Sequence, residues 1–89
     1  MRYQVEFSKL ALKQLKKMDK HTSSIIISFI KKKLVNTDNP RQHGKALQGN
    51  HNDKWRYRVG NYRLLAKIQD EKVLITLVEV GHRKDVYKK

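Results

Sequence analysis

Trp55-Arg56-Tyr57-Arg58-Val59-Gly60-Asn61-Tyr62-Arg63 is the stretch on which the fold turns. It reads as two β-strands joined by a two-residue turn at Gly60-Asn61. Gly accepts positive φ, Asn tolerates the left-handed region, and apolar and polar residues alternate on both sides. This turn pairs Val59 with Tyr62, Arg58 with Arg63, Tyr57 with Leu64 and Arg56 with Leu65. Side chains alternate between the two faces of a strand. Trp55, Tyr57, Val59, Tyr62, Leu64, Ala66 and Ile68 therefore share one face, which can be buried. Arg56, Arg58, Arg63 and Lys67 share the other. Arg58 and Arg63 stand directly opposite each other, and like charges in that position cost stability. Two guanidinium groups forced together mark a site for a polyanion.

The chain's 89 residues predict one domain, spanning 1–89. Its 21 basic and 8 acidic residues leave a net charge of +13. So basic a small domain carries the electrostatic footprint of a nucleic-acid binder. An anionic membrane surface and an acidic protein partner are the rival readings. The absence of Cys excludes a disulfide, a thiolate metal site and a Cys nucleophile, and it suits a reducing, cytoplasmic setting. The longest apolar run, Ile25 to Ile30, is interrupted by Ser28 and falls far short of the roughly 20 residues that span a bilayer. No apolar signal-peptide core opens the chain, so no membrane association is expected.

Tyr3 to Phe7 alternates as a half-buried strand, and Ser8 suits an N-cap. Lys9 to Asp19 places Ala11, Leu15 and Met18 at helical spacing, with Leu12 beside them. Lys9, Lys13, Lys16, Lys17 and Lys20 fall on the remaining surface, as a solvated face or as phosphate contacts. His21-Thr22-Ser23 offers caps for a second helix from Ser24 to about Asn36. Its buried stripe is Ile26, Phe29, Ile30 and Leu34, with Ile27 at the margin. Lys31, Lys32 and Lys33 suit the negative end of that helix or a nucleic acid. Asn36 to Arg41 is loop, broken at Asn39-Pro40. Lys45-Ala46-Leu47 reads as a short strand, and Gly49 to Asp53 as a polar loop. After the hairpin, the strand runs on to about Gln69, and Asp70-Glu71-Lys72 is a turn. Val73 to Val80 is a strand buried on both faces. A three-residue loop pairs Gln69 with Val73 and Arg63 with Glu79, which puts Glu79, Gly81 and Arg83 on the arginine face. His82 to Lys89 is a basic tail. The order β-α-α-β-β-β-β predicts an α+β fold: a small, mostly antiparallel sheet with two N-terminal helices on one face, the one bearing Trp55 and Tyr57. The opposite face keeps Arg56, Arg58, Arg63 and Arg83 together.

The chain carries no P-loop, no nucleophile triad and no paired carboxylates in a plausible cleft. His21, His43, His51 and His82 lack metal-ligand spacing, so no metal and no cofactor are expected. A basic, metal-free site leaves two chemistries. One is phosphate binding. The other is RNA cleavage by the ribose 2′-hydroxyl, which needs that hydroxyl deprotonated, the phosphorane's charge stabilised and the leaving 5′-oxygen protonated. Fixed arginines can do the second task, because they stay charged and grip phosphate bidentately.

These residues resemble a known family. Tyr3-Gln4-Val5-Glu6-Phe7-Ser8 leads into a Lys-rich helix, and Lys45-Ala46-Leu47-Gln48-Gly49 follows. Then come Trp55 to Leu64 and Val80-Gly81-His82-Arg83-Lys84-Asp85-Val86-Tyr87. In this order and spacing the chain resembles the RelE toxins of the RelE/ParE superfamily of bacterial type II toxin–antitoxin pairs. The resemblance implies a ribosome-dependent endoribonuclease that cuts mRNA in the A site and is neutralised by a RelB-like antitoxin. Operator DNA would be a partner only through the toxin–antitoxin complex. It also implies residue roles. Arg63 grips the phosphate. Arg83 protonates the leaving group or stabilises its charge. Tyr87 stacks on a base or helps activate the 2′-hydroxyl. Arg56 and Arg58 fall at two basic strand positions that are lysines in the best-known members. Arginine is no base near neutral pH, so Tyr87, His82 and Lys54 are the candidates for proton transfer, while Lys54 and Lys67 join Arg56 and Arg58 in holding RNA. The spacing from Gly81 to Tyr87 is shorter than in the type member. Two other functions fit the same residues: a ParE-like inhibitor of DNA gyrase, and a non-catalytic RNA or ribosome binder that survives as a co-repressor.

Overall fold

The computed structural model describes residues 2–46 and 54–82. Five strands form one sheet in the order β1-β5-β4-β3-β2. They are β1 (Gln4–Phe7), β2 (Lys45–Ala46), β3 (Trp55–Val59), β4 (Tyr62–Gln69) and β5 (Leu74–His82). Helices α1 (Lys9–Lys17) and α2 (Lys20–Phe29) lie between β1 and β2 in the chain. The first strand pairs with the last in parallel, and the other pairings are antiparallel. The α+β class and the two helices over one sheet face match the sequence expectation.

The hairpin has the register that its turn chemistry specifies. Val59 faces Tyr62, Arg58 faces Arg63, Tyr57 faces Leu64 and Arg56 faces Leu65. Gly60 takes the positive φ, at 59°. Alternation then delivers Tyr57, Val59, Leu64 and Ala66 to the helices, where they pack with Ala11, Leu15, Ile26, Ile30 and Leu34. From β5, Ile75, Leu77 and Val80 complete this core.

Both helices start on capping side chains. Ser8 Oγ accepts from Ala11 N at 3.0 Å, as expected. The second helix begins at Lys20 rather than Ser24. Asp19, assigned from periodicity to the end of the first helix, is its cap, with Oδ2 accepting from Thr22 N at 3.1 Å. An acceptor at the N-cap outweighs the marginal helix propensity of one more turn. The expected single helix to Asn36 also changes character at Ile30–Leu34, where it becomes a π-turn closed by Val35 N donating to Ile30 O at 2.9 Å. Ile26, Ile30 and Leu34 still form the buried stripe.

The β4–β5 connection differs from the expected three-residue loop. Gln69 pairs with Leu74, so four residues intervene, and Val73 takes a left-handed conformation with φ 51°. One extra loop residue flips every side chain of the following strand. A bulge in β5 reverses the flip. Ala66 faces Leu77, but Leu65 faces Glu79, and Val78 is the extra residue. Arg63 therefore faces Gly81 rather than Glu79, yet Glu79 and Gly81 both lie on the arginine face. The strand ends at His82 rather than Val80. The expected strand position Leu47 and the Gly49–Asp53 loop lie outside the described residues.

The segment between α2 and β2 is tied to the sheet by specific bonds. Tyr57 Oη donates to Pro40 O at 2.7 Å, and burial pushes its phenol above the ordinary value of 10. Trp55 Nε1 donates to His43 O at 2.6 Å. Gly44 sits at φ 81°, where a Cβ would fall 2.1 Å from Arg56 O, so only glycine lets the chain cross β3 here. Arg41 Nη1 bonds Asp70 Oδ1 at 2.9 Å and holds that carboxyl below its ordinary range, assisted by the Tyr3 hydroxyl.

Candidate phosphate-binding face

The sheet face turned away from the helices carries two rows of side chains. One row runs Lys45, Arg56, Leu65, Glu79 across β2, β3, β4 and β5. The next runs Arg58, Arg63, Gly81. Lys67, opposite Thr76, extends the positive charge along β4 and is exposed. Lys45 was missed as a site residue in the sequence reading. Its short strand was legible there, but the partner that aims it, Arg56, is set by a crossing of the chain at Gly44.

Arg63 is the unusual member. It is only 5% exposed, while Arg58 directly opposite is exposed. Its Nε and Nη1 find no hydrogen-bond partner among the described residues. A buried cation with unmet donors is costly, and the cost falls when an anion reaches it. Guanidinium donors match the paired oxygens of a phosphate. Gly81 brings no side chain to the position facing Arg63 on β5. Arg56 and Lys54 are half-buried at the start of β3. Among the described residues no three His, Asp or Glu side chains converge as metal ligands.

His82 stands elsewhere. It pairs with Tyr62, and their rings meet edge to face with centroids 5.5 Å apart. Tyr62 packs on the helix side of the sheet. His82 thus points to the face opposite Arg63, because neighbours along a strand alternate. The structure brings Arg56, Arg58, Arg63 and Lys67 onto one face, with Lys54 at its edge. Arg83 and Tyr87 lie outside the described residues.

Residues 5–87 match the family model described as the ParE toxin of the type II toxin–antitoxin system. A RelE-like toxin protein of Escherichia coli is 39% identical over 98% of this chain and 92% of its own length. The mRNA interferase toxin RelE of Escherichia coli strain K12 is 34% identical over 93% of this chain and 85% of its own length. The solved toxin–antitoxin complex RelBE2 of Mycobacterium tuberculosis contains a chain with the same fold. Its TM-score is 0.84 at 29% identity, covering 93% of each chain. A match over nearly the whole chain, with the sheet order and helix placement already described, shows the family: this chain belongs to the RelE/ParE superfamily of type II toxin–antitoxin toxins.

Proposed function

We propose that the chain is an mRNA endoribonuclease that works on the ribosome. The observation that carries this reading is Arg63, a buried guanidinium with two nitrogens unmet among the described residues, directly opposite the exposed Arg58. A scissile phosphate supplies the missing acceptors. In the proposed step the 2′-hydroxyl loses its proton and its oxygen bonds the adjacent phosphorus. The bond to the 5′-oxygen breaks, and that oxygen takes up a proton. Arg63 and Arg83 stabilise the charge on the phosphorane, Arg83 also serving the leaving oxygen. Tyr87 and Lys54 are the groups proposed for proton transfer, since the arginines cannot give up a proton near neutral pH. No proton transfer is assigned to His82, which turns to the other face. Arg56, Arg58 and Lys67 hold the RNA backbone.

The partner proposed to silence the chain is a RelB-like antitoxin, seated on the helix layer. The similar solved chain is itself part of the toxin–antitoxin complex RelBE2. On α1, Leu10 and Leu12 are each 45% exposed amid Lys9, Lys13 and Lys16, which suits an acidic, amphipathic segment.

The test is incubation of the purified chain with ribosomes carrying a defined mRNA, followed by primer extension. Discrete cuts within A-site codons are expected. They should vanish in Arg63→Ala while the fold, read by circular dichroism, is kept. Intact mRNA at all enzyme concentrations would overturn the reading. A second reading, inhibition of DNA gyrase, is favoured by the description of the matching family as ParE. It predicts DNA damage in arrested cells with transcripts left whole.

A further inference from the structure

Strand β1 ends at Phe7, opposite Leu77, while β5 runs on to His82. Beyond that point the backbone of β5 is taken up by α1 and its cap. Ser8 N donates to Leu77 O at 2.9 Å, and Ser8 Oγ donates to Val78 O at 2.7 Å. Val80 N donates to Gln14 Oε1 at 2.6 Å. These three bonds bracket the bulge at Val78, which is the point where the register of β5 shifts. Gln14 is half-buried on the side of α1 next to Ala11 and Leu15, a place that helical patterning would give to an apolar residue. A carboxamide there is accounted for by the Val80 N–H that it accepts from.

We propose that Gln14 is a positioning residue for the arginine face: its side-chain oxygen holds the β5 bulge that places Gly81 opposite Arg63. The inference rests on the reading of that face as the cleavage site. If the bulge were lost, pairing would continue by one residue fewer. Arg63 would then face Val80, and Gly81 would turn towards the helices.

Two substitutions in the full chain test this. Gln14→Met keeps the length and removes the acceptor, and Gln14→Glu keeps an oxygen. In Gln14→Met, exchange of the Val80 amide should speed up about tenfold or more. The NMR resonances of the Gly81 amide and the Arg63 Nε–H should move. Turnover on programmed ribosomes should fall about tenfold to a hundredfold, with KM for ribosomes within about twofold. Gln14→Glu should restore all three. Should Gln14→Met fail to fold, Gln14→Asn, one methylene too short to reach Val80, gives the same comparison. Unmoved Gly81 and Arg63 resonances, or wild-type turnover in the variant that lacks the acceptor, would overturn the inference. A lower melting temperature alone, with those resonances in place, would also overturn it. If the wild type leaves mRNA whole, the proposed activity falls, and the Gly81 and Arg63 resonances still decide the role of Gln14.

Discussion

Arg63 shows what one residue can reveal when its charge and its burial disagree. A guanidinium that is 5% exposed, with two donors unmet among the described residues, weakens the apo fold. Stability held back at a site is the usual companion of function. Arg63→Met keeps much of the stem volume and removes the buried charge. The expected outcome is a rise in unfolding free energy of about 1 kcal/mol, with mRNA cleavage abolished. Urea denaturation with an unchanged m-value checks the first, and primer extension the second. A loss of stability of similar size would mean that the guanidinium is satisfied in the folded state. The face occupied by Arg63 was legible from alternation. Its burial was not, because alternation assigns a side and says nothing about what else crowds there.

Among the elements, α2 and β5 depart most from periodicity, and polar contacts from outside the element accompany both departures. Asp19 caps α2 through Thr22, whose hydroxyl and backbone N–H hold its carboxyl below the ordinary value of 3.8. A carboxyl depressed in the folded state adds stability that is complete above its unfolded pKa and fades as pH falls through the folded one. Asp19→Ala should therefore lower the urea midpoint at pH 7. The gap between variant and wild type should close as pH drops below 3.8. A gap that stayed constant down to pH 2 would show that the carboxylate charge contributes nothing to the cap. In β5 the loop is one residue longer than its turn residues suggest, and the bulge at Val78 restores the phase. Glu79 and Gly81 were placed on the correct face from sequence, but through a register that differs from the observed one.

At the scale of the whole molecule, charge is the dominant feature. The net charge of +13 is spread over both layers: arginines on the sheet face turned away from the helices, and lysines along α1 and after α2. Binding of single-stranded RNA should weaken steeply with salt, because each phosphate neutralised releases condensed counterions. Arg58 is exposed on the arginine face, so Arg58→Ala should reduce the log–log salt slope by about 0.7, the value for one single-strand phosphate contact. Fluorescence anisotropy with a labelled oligonucleotide across a salt series measures it. An unchanged slope would place the RNA away from this face. No helix of the described residues is long and apolar enough to cross a membrane.

The hairpin register, the two faces of the sheet, the Ser8 cap and the class of fold follow from the sequence by itself. All of them depend on residues that are close along the chain: a Gly-Asn turn, period-two alternation, helical spacing. The parallel docking of β1 on β5, the burial of Arg63 and the bulge belong to the tertiary structure alone. Gln14 and Val80 meet across 66 residues, and Arg41 reaches Asp70 across 29. Contacts of that reach depend on how layers pack, and local propensity carries no record of them. The arginine face was thus visible as a pattern of charge, while its most telling feature, a buried cation with two nitrogens unmet among the described residues, exists only once the chain has folded around it.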